Sequence, residues 1–346
     1  MTNEHYIARC IQLAKNGLST TYPNPMVGSV IVYKDTIIGE GWHYKAGQPH
    51  AEVNAINSVK DKSLLEKSTI YVSLEPCSHF GKTPPCSDLI IQHKIPNVVI
   101  GTIDPFAKVS GRGIQKLKDA GCKVTVGVLE KECNELNKRF FTFHTKKRPY
   151  IFLKWAETND GFIAPSQKKE QAPVWISNIY AKQAVHYQRA TEQAILVGTN
   201  TVVQDNPSLT TRLIEPTASL RVIIDLEVQL NNNLKIFNQE IPTLIITTKD
   251  KKNQVNIYYE KVDTSKNITQ QICDILYDYK IHSLIVEGGK QTLQHFIDDD
   301  NWDEAYVYKG TQTHFNNGIL APKLKKHQQL KQIQINNNLL SIYKHD

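Results

Sequence analysis

The 346-residue sequence has no stretch close to the roughly 18 uninterrupted apolar residues that a membrane helix needs, which excludes a membrane-spanning protein. Its first residues, Met1-Thr2-Asn3-Glu4-His5, carry no basic head followed by an apolar run, so no secretory leader is read there and a cytoplasmic address is expected. Only six cysteines are present, too few for a disulfide scaffold. In a reducing compartment paired cysteines more often hold metal or carry out redox chemistry. Concentrated charge of one sign is also missing: Lys plus Arg number 41 against 34 Asp plus Glu, with 18 and 13 of these through Lys146 and 23 and 21 beyond it. So thin an excess suits a small phosphorylated substrate at least as well as nucleic acid, which usually demands a clustered Lys/Arg face. Neither a nucleic-acid nor a membrane partner is expected. Finally, no G-x-G-x-x-G follows a strand pattern, which argues against a Rossmann domain.

What is present reads as two α/β sets. Apolar residues at Tyr6, Ile7, Cys10, Ile11, Ala14 and Leu18 recur near a 3.6-residue period and predict a first helix, with Gly17 near its end. Strands are expected at 27–33 and 37–41 around Lys34-Asp35, at 69–74, 97–103 and 123–128, with helices from His50, from Pro85 and over 113–120. Such alternation implies a layered α/β domain. The segment 136–149 ends in a basic run and a proline and makes a plausible junction, although Phe140, Phe141 and Phe143 argue that it packs. A second α/β set follows, with strands at 150–155, 194–197, 221–224, 243–247, 283–286 and 305–308 and a helix after Gly289. The domains expected are therefore 1–146 and 147–346, with surface loops at Asn231-Asn232-Asn233 and 249–256.

The first half carries a metal constellation. His50-Ala51-Glu52 opens one helix, Pro76-Cys77 ends a strand, and Cys86 starts the next helix behind Pro84-Pro85. One imidazole and two thiolates supply three of the four ligands of zinc and leave a position for water, a catalytic rather than a structural count. The sum of charges at such a centre is zero, so a nearby base could convert water to hydroxide, and Glu52 is the candidate. Residues two apart on a helix point about 200° apart, so His50 and Glu52 converge only if the helix begins there. Cys86 at a helix N-terminus would be favoured as thiolate. The order His-Ala-Glu then Pro-Cys fits the zinc deaminase pattern. Cys10, Cys122, Cys133 and Cys273 have no close ligand-spaced partner and are read as packing residues.

Deaminases acting on cytosine or adenosine usually read Pro-Cys-x-x-Cys, whereas here eight residues separate Cys77 from Cys86. That longer loop, with Tyr22-Pro-Asn-Pro-Met-Val-Gly28, Gly39-Glu-Gly-Trp-His43, Asp104-Pro105 and Gly111-Arg-Gly113, resembles the bifunctional deaminase/reductase of riboflavin biosynthesis. The resemblance covers nearly the whole chain. It implies a cytidine-deaminase-like three-layer α/β/α domain, Zn²⁺ on His50, Cys77 and Cys86, and Glu52 as proton shuttle. The reaction implied is hydrolytic loss of an amino group from a diaminopyrimidinone bearing a ribosylamino 5′-phosphate. Asn24, His43, His79, Lys82 and Asp104 match family positions near that substrate.

In the second half, Ser283-Leu-Ile-Val-Glu-Gly-Gly-Lys-Gln-Thr292 reads as strand, glycine pair and helix, a junction where backbone N–H groups approach a phosphate. With Lys154, Asp160-Gly161, Trp175-Ile176-Ser177, Gly198-Thr-Asn-Thr201 and Asp205-Asn-Pro-Ser-Leu-Thr-Thr-Arg212, it resembles the reductase domain of the same family. The resemblance implies a dihydrofolate-reductase-like fold in which NADPH delivers hydride to the ribose carbon C1′. Ala156, Trp175, Thr201, Asp205, Gly288, Gly289, Lys290, Gln291, Thr292 and Leu293 would then lie along the cofactor, and Lys154, Arg189, Leu209, Arg212 and Glu287 would face the substrate. Arg189 and Arg212 suit phosphate clamping, because a guanidinium binds phosphate oxygens in a bidentate way. The family also tends to form homo-oligomers through this domain. Two positions depart from its pattern: Thr158-Asn159-Asp160-Gly161 replaces Ser-Leu-Asp-Gly, and Pro173 stands where a serine is usual. Two other readings stand beside this one, a nucleoside, nucleotide or tRNA deaminase fused to an unrelated domain, and a structural zinc in a binding module.

Overall fold

A computed structural model of the chain describes all residues except 79, 81–83, 107–109, 169 and 212–218. It divides into two compact units, Met1–Lys147 and Arg148–Asp346.

The first unit runs α1 (Asn3–Ala14), β1 (Gly28–Tyr33), β2 (Thr36–Trp42), α2 (Ala51–Ser58), β3 (Thr69–Leu74), α3 (Cys86–Gln92), β4 (Asn97–Thr102), α4 (Arg112–Asp119), β5 (Lys123–Val126), α5 (Glu130–Leu136) and α6 (Lys138–Lys146). The five strands form one sheet in the order β2-β1-β3-β4-β5. β1 is antiparallel to both β2 and β3, while β3, β4 and β5 are parallel. The central strands are apolar almost throughout because both faces are covered. On one face Ile31, Ile70, Val72, Val98 and Ile100 pack with Ile56, Ile90 and Ile114 from α2, α3 and α4. On the other, Val30, Val32, Tyr71 and Val99 pack with Tyr6, Ile7 and Cys10 of α1. Alternate strand residues thus feed two cores, each fully buried Ile or Val contributing about 1.5–3 kcal/mol. The close seating of α1 depends on Gly28, where an added Cβ would lie 2.0 Å from the Cys10 carbonyl oxygen. The helix expected from Tyr6 to Leu18 begins earlier, at Asn3, ends its α-helical part at Ala14 and tightens into a 3₁₀ turn over Lys15–Gly17. The expected junction at 136–149 is largely the helix α6, which buries Phe140, Thr142 and Phe143.

The second unit runs β6 (Tyr150–Thr158), β7 (Phe162–Pro165), α7 (Ile179–Thr191), β8 (Ala194–Gly198), α8 (Thr199–Asp205), β9 (Leu220–Ile224), β10 (Thr243–Thr247), β11 (Ile257–Lys261), α9 (Ile268–Asp278), β12 (Ser283–Gly288), α10 (Lys290–Asp298), β13 (Glu304–Gly310), β14 (Gly318–Leu320), β15 (His327–Ile335) and β16 (Asn338–His345). Nine strands form one sheet, β11-β10-β9-β8-β12-β6-β13-β16-β15, parallel through β13 and antiparallel at β16 and β15. β7 and β14 pair separately. Leu153, Leu196, Val222, Leu244, Leu284 and Val286 face the core lined by α9 and α10, and Ile195, Val197, Ile223 and Ile245 face the opposite side. A buried fork stitches the start of β6 to β13: Arg148 donates Nη1 and Nη2 to Asp303 at 2.5 and 2.9 Å, and the same carboxylate accepts the Ile151 N–H at 2.8 Å. Among the described residues, no helix is long and apolar enough to cross a membrane.

Candidate active sites

In the first unit, two strand-to-helix connections, β2 to α2 and β3 to α3, bring the expected metal donors together. His50 is the N-cap of α2, with extended backbone (φ −72°, ψ 167°), and Glu52 is the second helical residue. This is the arrangement that lets residues two apart converge, because His50 lies outside the 100° rotation of the helix. Cys77 follows β3, and Cys86 is the first residue of α3, with Pro85 at the N-cap rather than at the first helical position. His50 Nδ1 lies 3.6 Å from Cys77 Sγ and 3.4 Å from Cys86 Sγ, and the three donor atoms all fall within 4.8 Å of one another. A tetrahedral zinc with ordinary bond lengths puts neighbouring nitrogen and sulfur donors about 3.6 Å apart. The donor set and its spacing therefore fit zinc, and His50, Cys77 and Cys86 are the residues that could hold it.

The electrostatics favour the thiolate at Cys77, whereas Cys86, expected as a thiolate at its helix N-terminus, is held as the thiol because burial and its donation to Cys77 outweigh the helix end. The Cys77 thiol is pulled down to about 4, first by the hydrogen bond from the Cys86 side chain, against burial, and then by His50. Cys86 is pushed well up, because it donates to Cys77 and is buried. The Cys86 backbone N–H also donates to Cys77 Sγ at 3.3 Å. Contact with Cys77 raises the His50 imidazole despite its burial. Glu52 is 3 % exposed, and burial pushes its carboxyl up to about 7, against the pull of His50. A carboxyl poised there exchanges protons readily at neutral pH.

The residues expected beside the substrate divide into two groups. His43 Nδ1 lies 3.1 Å from the Pro49 carbonyl, which only accepts, so Nδ1 carries the proton and Nε2 accepts from Asn24 Nδ2 at 3.1 Å. The His43 ring meets His50 edge to face at 5.3 Å, and its burial lowers its basicity. Asp104 is buried and its Oδ1 accepts the Phe106 N–H at 2.8 Å; burial pushes its carboxyl up to about 6. His79 and Lys82 lie outside the described residues. Cys10, Cys133 and Cys273 are buried in apolar clusters, and Cys122 packs against one.

Sequence reasoning passed over Glu75. It is 4 % exposed, and its carboxylate accepts the N–H groups of Asp104, Gly111, Gly113 and Ile114 at 3.3, 2.9, 2.9 and 3.3 Å. The only local signal was its place in Glu-Pro-Cys; the donors come from 29 to 39 residues away.

In the second unit, the neighbouring parallel strands β8 and β12 each turn directly into a helix at the same edge of the sheet, α8 and α10. Ligands in open α/β sheets bind at such carboxyl ends. Gly288 (φ 133°) ends β12 and is joined to Gly289, the N-cap of α10, by a cis peptide. A Cβ on Gly289 would stand 3.2 Å from Thr201 Oγ1, so Thr201 lines the same junction. Gly289 offers no side-chain cap, which leaves the N–H groups of Lys290, Gln291 and Thr292 directed at the space before the helix. Leu293 belongs to the core: its side chain is fully buried and its N–H donates to Gly289. Asp205 is ion-paired with Lys168, another residue the sequence did not single out. Trp175 is 56 % exposed, not a core residue, and Lys182 Nζ sits 3.5 Å from its ring centroid. Ala156 lies on β6 beside the cluster of Tyr308 and α7.

Arg189 differs from the expected open phosphate clamp. Its Nε and Nη2 donate to the two oxygens of Glu287 at 2.8 and 2.5 Å, and Nη1 lies 3.5 Å from the Thr210 carbonyl. A cation this buried needs an anion, and Glu287 provides it. Burial alone would raise the Glu287 carboxyl, but Arg189 and then Lys154 outweigh it and hold it at about 2. Burial lowers the Lys154 amine, whose Nζ lies 6.0 Å from the Tyr308 ring. Leu209 is buried at φ 52°, and Arg212 lies outside the described residues. At the departure from the family pattern, Thr158 Oγ1 hydrogen-bonds Asp160 and accepts the Phe162 N–H at 3.0 Å.

Comparisons with known proteins find a family match in each unit. A family described as the cytidine and deoxycytidylate deaminase zinc-binding region matches residues 1–102, and one described as the RibD C-terminal domain matches residues 149–311. The riboflavin biosynthesis protein RibD of Aquifex aeolicus is 40 % identical over 316 residues, covering 88 % of this chain and 86 % of its own. That of Bacillus amyloliquefaciens is 37 % identical, covering 93 % and 87 %. Among solved structures, a diaminohydroxyphosphoribosylaminopyrimidine deaminase/5-amino-6-(5-phosphoribosylamino)uracil reductase from Thermotoga maritima superposes with a TM-score of 0.90 at 35 % identity over 99 % of both chains. With this likeness along its whole length, the chain belongs to the RibD family of riboflavin biosynthesis, a bifunctional enzyme with a zinc deaminase domain and an NADPH-dependent reductase domain.

Proposed function

We propose that residues 1–146 deaminate diaminohydroxyphosphoribosylaminopyrimidine, the substrate class named for the Thermotoga relative, and that residues 147–346 reduce the resulting 5-amino-6-(5-phosphoribosylamino)uracil. The observation that carries this reading is the convergence of one imidazole and two sulfurs beside a buried carboxyl. His50, Cys77 and Cys86 would hold zinc. When bound, zinc supplies Lewis acidity that lets a water lose its proton near neutral pH. Glu52 accepts that proton as the water oxygen attacks the amino-bearing ring carbon and passes it to the adjacent ring nitrogen; it then takes the remaining proton of the added hydroxyl and gives it to the departing amine, so that water and substrate become the carbonyl product and ammonia. Asn24, His43 and Asp104, with His79 and Lys82, hold the substrate.

In the second unit NADPH, when bound, would supply the hydride for the ribose C1′, with a proton from water reaching the ring oxygen as the sugar opens to a ribityl chain. Gly288, Gly289 and the first turn of α10 approach the cofactor phosphates, and Ala156, Thr201, Asp205 and Trp175 line the rest of the cofactor. Lys154, Arg189, Glu287, Leu209 and Arg212 face the substrate. Glu287 fixes the plane of the Arg189 guanidinium, leaving Nη1 as its freer donor. The enzyme works in the cytoplasm, in keeping with six unpaired cysteines, and as a homo-oligomer, which light scattering on the eluting protein would check.

The test is a coupled assay on the diaminopyrimidine phosphate, following ammonia and then NADPH oxidation. Glu52→Gln should keep stoichiometric zinc and release no ammonia. Near-normal turnover by that variant refutes the role of Glu52, and absence of both activities in the wild-type protein refutes the whole reading.

A further inference from the structure

Glu75 stands at the end of β3, two residues before Cys77, and is almost completely buried. A carboxylate has about four lone-pair sites, and here all four are taken by backbone N–H groups. Oε2 accepts from Asp104 and Gly111, so a single atom ties these two residues together. Oε1 accepts from Gly113 and Ile114 in the first turn of α4, whose N-cap Gly111 has no side chain to do so. The Glu75 N–H in turn donates to the Thr102 carbonyl at 3.0 Å. The contact is close on the other side too: a Cβ on Gly113 would lie 2.1 Å from the Pro76 carbonyl oxygen. The strand end carrying Cys77, Asp104 and the start of α4 are thereby tied together.

We propose that Glu75 is a positioning residue for the deamination: its carboxylate fixes Asp104 relative to the strand end that presents Cys77, and so sets the place of Asp104 against the substrate. This rests on the proposed deaminase reading, within which Asp104 touches the substrate. The charge of Glu75 is not itself used in the chemistry. What matters is that both oxygens accept. An amide of the same shape keeps one acceptor and turns an NH₂ group toward two backbone donors, leaving buried N–H groups without a partner.

The test is Glu75→Gln in the full-length zinc-loaded protein. Zinc content and NADPH oxidation should match the wild type. Hydrogen exchange should speed up at Asp104, Gly111, Gly113 and Ile114, and the deaminase KM should rise by about tenfold or more with kcat within roughly threefold. Added to Asp104→Asn, the same substitution should raise KM by less than roughly twofold further, because both act on one contact. Unchanged exchange with unchanged KM overturns the proposal, as does full additivity with Asp104→Asn or an activity that falls only in step with lost zinc. If the variant does not fold, exchange in the wild-type protein decides: protection of Gly111, Gly113 and Ile114 by about a hundredfold or more supports the anchor, and free-peptide rates overturn it. Failure of the deaminase reading looks different, since the wild-type protein would then release no ammonia whatever its exchange pattern.

Discussion

Replacing Glu287 by Gln tests the charge arrangement of the second unit. The substitution keeps the shape of the side chain and removes the only anion of the described cluster with Arg189 and Lys154. The carboxyl is held at about 2, against an ordinary value of 4.5, which corresponds to about 3 kcal/mol at 1.36 kcal/mol for each tenfold change in proton affinity. Removal of one partner from a buried pair costs about 3–5 kcal/mol by an independent route. The sign follows from the depressed value. Stability from Glu287 is fully present above pH 4.5 and is lost as the pH falls through about 2. Glu287→Gln should therefore unfold more easily by about 3 kcal/mol at pH 7, and the gap should narrow as the pH falls below 4.5. Urea unfolding followed by tryptophan fluorescence reads this unit, because Trp155, Trp175 and Trp302 lie in it and only Trp42 lies in the other. Adding Arg189→Met should return part of the loss, since it removes the stranded cation. A loss below about 1 kcal/mol at pH 7, or a gap that does not narrow in acid, refutes the reasoning.

Other outcomes are expected in the first unit. Asp104, raised to about 6, has the opposite sign: its burial favours the protonated form, so its contribution declines by up to about 3 kcal/mol as pH rises from 4 through 6. Denaturation of Asp104→Asn across that range should show a flatter pH profile than the wild type; parallel profiles would count against it. Cys77→Ser and Cys86→Ser should each lose stoichiometric zinc by elemental analysis, whereas Cys273→Ala, in the buried core of the other unit, should retain it. Gly28→Ala forces a methyl group against the Cys10 carbonyl and should cost about 1–3 kcal/mol in chemical denaturation by lifting α1 off β1.

The sequence by itself determined the chemistry of the first unit and the centre of each sheet. His50-Ala51-Glu52, Pro76-Cys77 and Cys86 name a zinc donor set because few residue types make those bonds, and near-continuous apolar runs such as 69–74 and 283–286 mark central strands because both faces must be covered. Less was legible at the edges. β15 is exposed almost throughout and alternates only over its last residues, Gln332-Ile333-Gln334-Ile335, and α7 hides its buried face behind Gln188, His186 and Thr191. Only the tertiary structure decided the partners of buried charge. Arg189 looked like an open clamp until Glu287, 98 residues away, proved to fill its fork, and Glu75, passed over in the sequence, proved to gather four distant N–H groups. Periodicity and motif report what a residue is and which way it faces. The partner that satisfies a buried ion is chosen by the fold, because the cost of leaving it unpaired is settled only where the chain comes back to meet it.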